Sequence, residues 1–207
     1  MSKKTLYISF DIETDGGNPE YNNMLSIGLC FINDNCEILY NYEANILPRT
    51  DDGRNYDENT MINFWNKEEN KDAWNFIQTN QHNYKIVMKE LSIIFTKYSK
   101  IYKLKFVAHP ASFDWAFFKS YYETTKLLSP ELKMYDIGYS CLCSSTLWNL
   151  YKTIFKLDNP IQYEEKYKEL SEINSNTRNH FALDDAKHQG IAFIKIKYQL
   201  ENQLKHL

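Results

Sequence analysis

The chain has 207 residues, 43% of them hydrophobic and 25% charged, and a net charge of −3. That length can bury a core without disulfide or metal staples, and 15% aromatics exclude intrinsic disorder. No run approaches the roughly 18 apolar residues of a membrane span, and a slightly acidic chain does not coat nucleic acid by bulk charge, so any phosphate contact must be local or carried by metal ions.

Residues 1–207 read as one domain. The opening MSKKTLYISFDIET lacks the apolar segment of a signal peptide. Cys30, Cys36, Cys141 and Cys143 form no C-x-x-C pair. They are read as free thiols of a reducing, cytoplasmic compartment. Residues 5–14, TLYISFDIET, form an apolar strand that ends in carboxylates. Residues 24–33 form a second strand, Asn33-Asp34-Asn35 a turn, and residues 36–47 a third strand of alternating pattern. Residues 60–79 and 84–99 carry apolar side chains at helical spacing. A short strand over 104–108 precedes a helix over 114–127, which ends before Ser129-Pro130. The stretch MYDIGYS, 134–140, reads as a fifth strand. Helices follow over 145–156 and 162–171, and a last one over 181–204. Early strands followed by strand and helix in alternation predict an α/β fold, a mixed five-stranded sheet flanked by helices. Its strands combine an antiparallel meander with parallel pairs.

Asp11 and Glu13 stand two apart at the end of the first strand, so both project from one face. Two such carboxylates repel unless a cation lies between them. Asp114 follows the 104–108 strand in the first turn of a helix. His180, Asp184 and Asp185 open the last helix. Asp184 lies one turn from His180 on the same face, and Asp185 is rotated about 100° further. With His180 in the preceding loop, geometry leaves both acids open. Each feature alone is ordinary: a polar strand end, a first-turn Asp, a surface His.

Together they form an ordered pattern. Phe10-Asp11-Ile12-Glu13-Thr14, His109-Pro110-Ala111-Ser112-Phe113-Asp114 and His180 through Asp185 resemble the three motifs of the DEDDh 3′–5′ exonucleases, a group of the ribonuclease H-like superfamily. Leu25-Ser26-Ile27-Gly28 resembles their second strand, and Thr60 through Trp65 a Thr-x-x-x-Phe-Trp helix. These features point to the phage-type and bacterial branch of RNase T-like enzymes. The likeness extends over about residues 5–200. Pro110 departs from it, and 157–178 has no counterpart.

The resemblance implies a ribonuclease H-like fold and a metal-dependent 3′–5′ exonuclease that releases nucleoside monophosphates from single-stranded RNA or DNA 3′ ends. It implies that Asp185, rather than Asp184, is the fourth carboxylate. Asp11, Glu13, Asp114 and Asp185 would hold two Mg²⁺ or Mn²⁺ ions. His180 would act as general base, a role its near-neutral pKa suits. Thr14, Trp65, Phe113 and Trp115, with Lys119 and Arg178, are the candidates for gripping the substrate end. No membrane partner is expected, and a homodimer is compatible with the group. The competing reading is a catalytically inactive nucleic-acid-binding or adaptor module on the same fold. The presence of all five site residues favours the enzyme.

Overall fold

The computed structural model describes residues 3–50, 52–174 and 177–205. Its centre is a five-stranded sheet in the order β3-β2-β1-β4-β5. Strands β1 (Thr5–Thr14), β2 (Met24–Asn33) and β3 (Ile38–Asn45) form the expected antiparallel meander. Strands β4 (Lys103–Ala108) and β5 (Leu142–Cys143) extend the sheet in parallel from β1.

Alternation along β1 sorts the two faces. Leu6, Ile8, Phe10 and Ile12 pack with Val87, Leu91 and Phe95 of helix α3 (Tyr84–Ser99) and with Phe117 and Phe118 of α4 (Ala111–Leu128). Each such large apolar side chain, once fully buried, contributes about 1.5–3 kcal/mol. Tyr7 points the other way, into a cluster with Ala186, Phe193 and Ile194 of α7 (Ala182–Leu204). Asp11 and Glu13 share that second parity and therefore the α7 face. Helices α5 (Ser144–Ile154) and α6 (Pro160–Ser171) pack on α7 through Trp148, Tyr151 and Leu170.

Two expected elements differ. The fifth strand is not 134–140 but the dipeptide Leu142–Cys143. The 134–140 stretch is held off the sheet. Tyr135 donates its N–H to Ser92 Oγ (2.7 Å) and accepts on its carbonyl from the Tyr122 hydroxyl (2.9 Å), and Gly138 turns the chain at φ +73°. The single helix over 60–79 is four short pieces: α1 (Glu58–Thr60), a π-helical turn Met61–Trp65, a 3₁₀ turn Glu68–Asn70 and α2 (Lys71–Ile77). Lys67-Glu68-Glu69 offers no apolar side chain to continue the buried stripe. Asn70 is buried instead and donates to the Phe64 carbonyl at 2.9 Å.

Candidate active site

Asp11 pairs with Gly28 of β2, and Glu13 with Ser26. A Cβ on Gly28 would lie 2.1 Å from the Leu183 nitrogen and 2.2 Å from the Ala182 carbonyl carbon. Only glycine lets the first turn of α7 rest against the sheet there. Gly190 repeats the device further along, where a Cβ would meet Ser9 Cβ at 2.8 Å. Between them, the Gln189 side chain donates to the Phe10 carbonyl at 2.6 Å. The α7 N-terminus has no side-chain cap of its own, and Glu43 of β3 accepts from the Leu183 N–H at 3.4 Å. The head of α7 is thus fastened over the carboxylate end of β1.

His180 precedes that head in the left-handed region, at φ +60°, which His tolerates better than bulkier residues. Among the described residues, Glu13, His180 and Asp185 each offer a ligand atom, all within 4.8 Å of one another. Asp11 and Asp185 line a cavity of about 220 Å³ together with His109, Tyr167, His188 and Gln189. Asp114 is buried in the first turn of α4, and its Oδ2 has no hydrogen-bond partner.

The electrostatics join all four acids. Burial, followed by the charges of Asp114, Glu13 and Asp185, holds Asp11 well above the ordinary carboxylate range. Glu13 is raised likewise by burial, Asp185 and Asp114. Burial pushes Asp114 up to about 7 against the pull of backbone N–H groups, and Asp185 up to about 6. Burial also lowers the His180 imidazole below its usual value. Four carboxylates held up by burial, two of them raised further by their neighbours' charges and one with an orphaned buried oxygen, form a hard oxygen donor set. The set fits divalent cations of the Mg²⁺ and Mn²⁺ type.

Asp184 and Asp185 differ in their surroundings. Asp184 is taken by Arg178 Nε (2.8 Å) and Lys187 Nζ (3.4 Å), while Asp185 lines the cavity. Arg178 also lies over the Phe181 ring, 4.1 Å from its centroid. Trp65 is 2% exposed, and its indole N–H donates to the Thr14 carbonyl at 2.8 Å, so it supports Thr14 from beneath. Trp115 packs among Phe10, Phe106 and Phe118, and Phe113 against Phe117. Lys119 Nζ lies 4.8 Å from the centre of the Tyr139 ring. Three residues outside the sequence-derived set border the site. Phe64 meets the His180 ring edge to face at 4.8 Å, and His109 and Tyr167 line the cavity. Phe64 was legible as the neighbour of Trp65. His109 opens the second motif. Tyr167 carried no signal.

A mixed sheet with two acids at the end of its first strand, a third at the head of α4, and a His and an Asp at the head of the last helix defines a ribonuclease H-like 3′–5′ exonuclease fold. The chain belongs to the family of Rv2179c-like 3′–5′ exoribonuclease domains, which matches residues 6–196. No curated protein matches it in sequence. Among solved structures, it resembles E. coli exonuclease I in complex with a dT13 oligonucleotide. The TM-score is 0.64 at 10% identity, over 99% of this chain and 43% of that one. The zinc-bound form of the same enzyme with single-stranded DNA gives 0.63 at 12% identity, over 100% and 42%. A full-length 3′-exonuclease gives 0.55 at 15% identity, over 98% and 84%. At these identities the likeness is one of fold, and the chain spans about two-fifths of the length of exonuclease I.

Proposed function

We propose that the protein is a metal-dependent 3′–5′ exonuclease that removes nucleoside monophosphates from the 3′ end of single-stranded nucleic acid, with RNA the first substrate to test. The reading rests on the convergence of Asp11, Glu13, Asp114 and Asp185, where the charges of Asp114 and Asp185 help to raise Asp11 and Glu13, with His180 beside two of them. The family adds the direction of cleavage and the preference for RNA.

In this reading the four carboxylates would hold two Mg²⁺ or Mn²⁺ ions. When bound, such ions stabilise the negative charge that builds on the phosphate during hydrolysis. The rest of the work falls to the chain. His180, kept neutral by burial, accepts a proton from the attacking water. The α7 head, held down by Gly28 and Glu43, fixes His180 and Asp185 relative to Glu13. The Thr14 backbone, braced by Trp65, forms the wall where the terminal sugar would rest. The four free cysteines fit a reducing, intracellular setting, and among the described residues no helix is long and apolar enough to cross a membrane.

His180→Ala tests the assignment. Turnover should fall about 10²–10⁴-fold, the usual share of a positioned base. Binding of Mn²⁺ and of a single-stranded oligonucleotide should stay near wild type. Cleavage within a few-fold of wild type would remove His180 from the mechanism.

A further inference from the structure

The segment 157–178, which lies between the second and third motifs, contributes a side chain to the carboxylate cavity. Helix α6 starts at Pro160 with Asn159 as its cap, and its Leu170 packs against the α5 and α7 cluster. At the end of α6 and just beyond it, His188 of α7 holds the chain from both ring nitrogens. Its Nδ1 lies 2.9 Å from the Ser171 carbonyl and its Nε2 3.3 Å from Thr177 Oγ1. The construction brings Tyr167 to the wall of the cavity that Asp11 and Asp185 line. The Tyr167 ring is wedged between His109, at 6.0 Å between centroids, and Trp148, at 5.3 Å.

The hydrogen-bond inventory of that wall is asymmetric. Ser144 Oγ donates its one hydrogen to the Ala108 carbonyl at 3.1 Å, so it accepts from His109 Nδ1 at 2.8 Å. The His109 proton is therefore on Nδ1, and Nε2 is left as an acceptor. With divalent ions bound, Asp11 and Asp185 would be ionised and could only accept. Gln189 has committed one of its two side-chain hydrogens to Phe10, and both His188 nitrogens are engaged. The Tyr167 hydroxyl makes no hydrogen bond to the described residues, and a phenol is protonated at neutral pH. It is an uncommitted donor in a cavity walled by acceptors. The group that such a donor completes is an anionic oxygen.

Resting on the exonuclease reading, we propose that the Tyr167 hydroxyl donates to a non-bridging oxygen of the substrate or product phosphate at the carboxylate site. Helix α6 is then the element that positions that phosphate. A hydrogen bond to a charged oxygen carries a factor of about 10–100 in affinity.

The test is Tyr167→Phe, which keeps the ring between His109 and Trp148 and removes only the donor. AMP and adenosine are titrated against the whole protein in Mn²⁺ by competition binding. AMP should bind the variant about 10–100-fold more weakly than the wild type, adenosine should be unaffected, and the melting temperature should not fall. Equal AMP binding by wild type and variant would overturn the proposal. So would no AMP binding by either protein, and so would a parallel loss for AMP and adenosine, which would make Tyr167 a packing residue. Asp11→Asn, assayed alongside on single-stranded RNA, separates the two levels. If it cleaves like wild type, the exonuclease site itself is misassigned. If it is inactive while Tyr167→Phe binds AMP normally, only the role of Tyr167 fails.

Discussion

At the scale of single residues, the site is a set of charges held against their own repulsion. Asp11 is raised well above the carboxylate range by burial and by three other acids. Asp11→Asn removes one of those charges at almost constant shape. Activity should disappear, and the metal-free variant should melt higher than metal-free wild type, because part of the repulsion is gone. A lower melting temperature in EDTA, read by calorimetry, would mean that Asp11 is stabilised by contacts other than a cation. The residues with the strongest chemical signature were legible from the sequence. Two acids at the end of an apolar strand are ordinary alone and stand out through their order with Asp114 and the His180–Asp185 motif. The same reasoning left Asp184 and Asp185 undivided, because the division depends on Arg178 and Lys187, whose side chains claim Asp184 through three-dimensional contact. Tyr167 was illegible for a similar reason: its role depends on where α6 docks.

At the scale of elements, the site depends on how closely α7 lies on the sheet. Gly28→Ala would drive a methyl group into the backbone of Ala182 and Leu183. Neither is a flexible side-chain end, so the head of α7 must move, with Asp185 and His180 on it. The expected cost is about 1–3 kcal/mol of overpacking, together with a loss of turnover larger than that destabilisation explains. Urea unfolding and an activity assay on the same preparation check both. Full activity in a destabilised Gly28→Ala variant would show that the site tolerates displacement of α7. Gly28 was visible within Leu25-Ser26-Ile27-Gly28, but the approaching helix lies more than 150 positions away and left no local trace. The first four strands are legible because apolar runs bounded by turn residues are local signals. Periodicity alone predicts one helix over 60–79, because it does not register a break where the buried stripe passes to the polar side chain of Asn70. The fifth strand was misplaced because Tyr135 is drawn to Ser92 and Tyr122 on the helical layer instead of to the β4 edge.

At the scale of the whole molecule, the acidic site links stability to pH and to divalent ions. Asp114 stands at about 7 and Asp185 at about 6 in the folded chain, against about 3.9 for an unfolded aspartate. Between about pH 4 and pH 7 the folded state therefore holds more protons than the unfolded one, and stability falls as pH rises through that window. In EDTA the melting temperature should be higher at pH 5 than at pH 8. Mg²⁺ or Mn²⁺ should recover much of the difference at pH 8, because an ion that binds only the folded state stabilises it by mass action, by about 2.7 kcal/mol at 100 times its Kd. A melting temperature that is flat with pH and insensitive to both ions would contradict the site's electrostatics. The central claim, however, is catalytic. It is tested most directly by incubating 5′-labelled single-stranded RNA with the wild-type protein and with Asp11→Asn, in Mg²⁺ and in EDTA. The account predicts a ladder that shortens one nucleotide at a time from the 3′ end, with wild type and Mg²⁺ only. Internal cuts, shortening that persists in EDTA, or an Asp11→Asn ladder equal to wild type would contradict it.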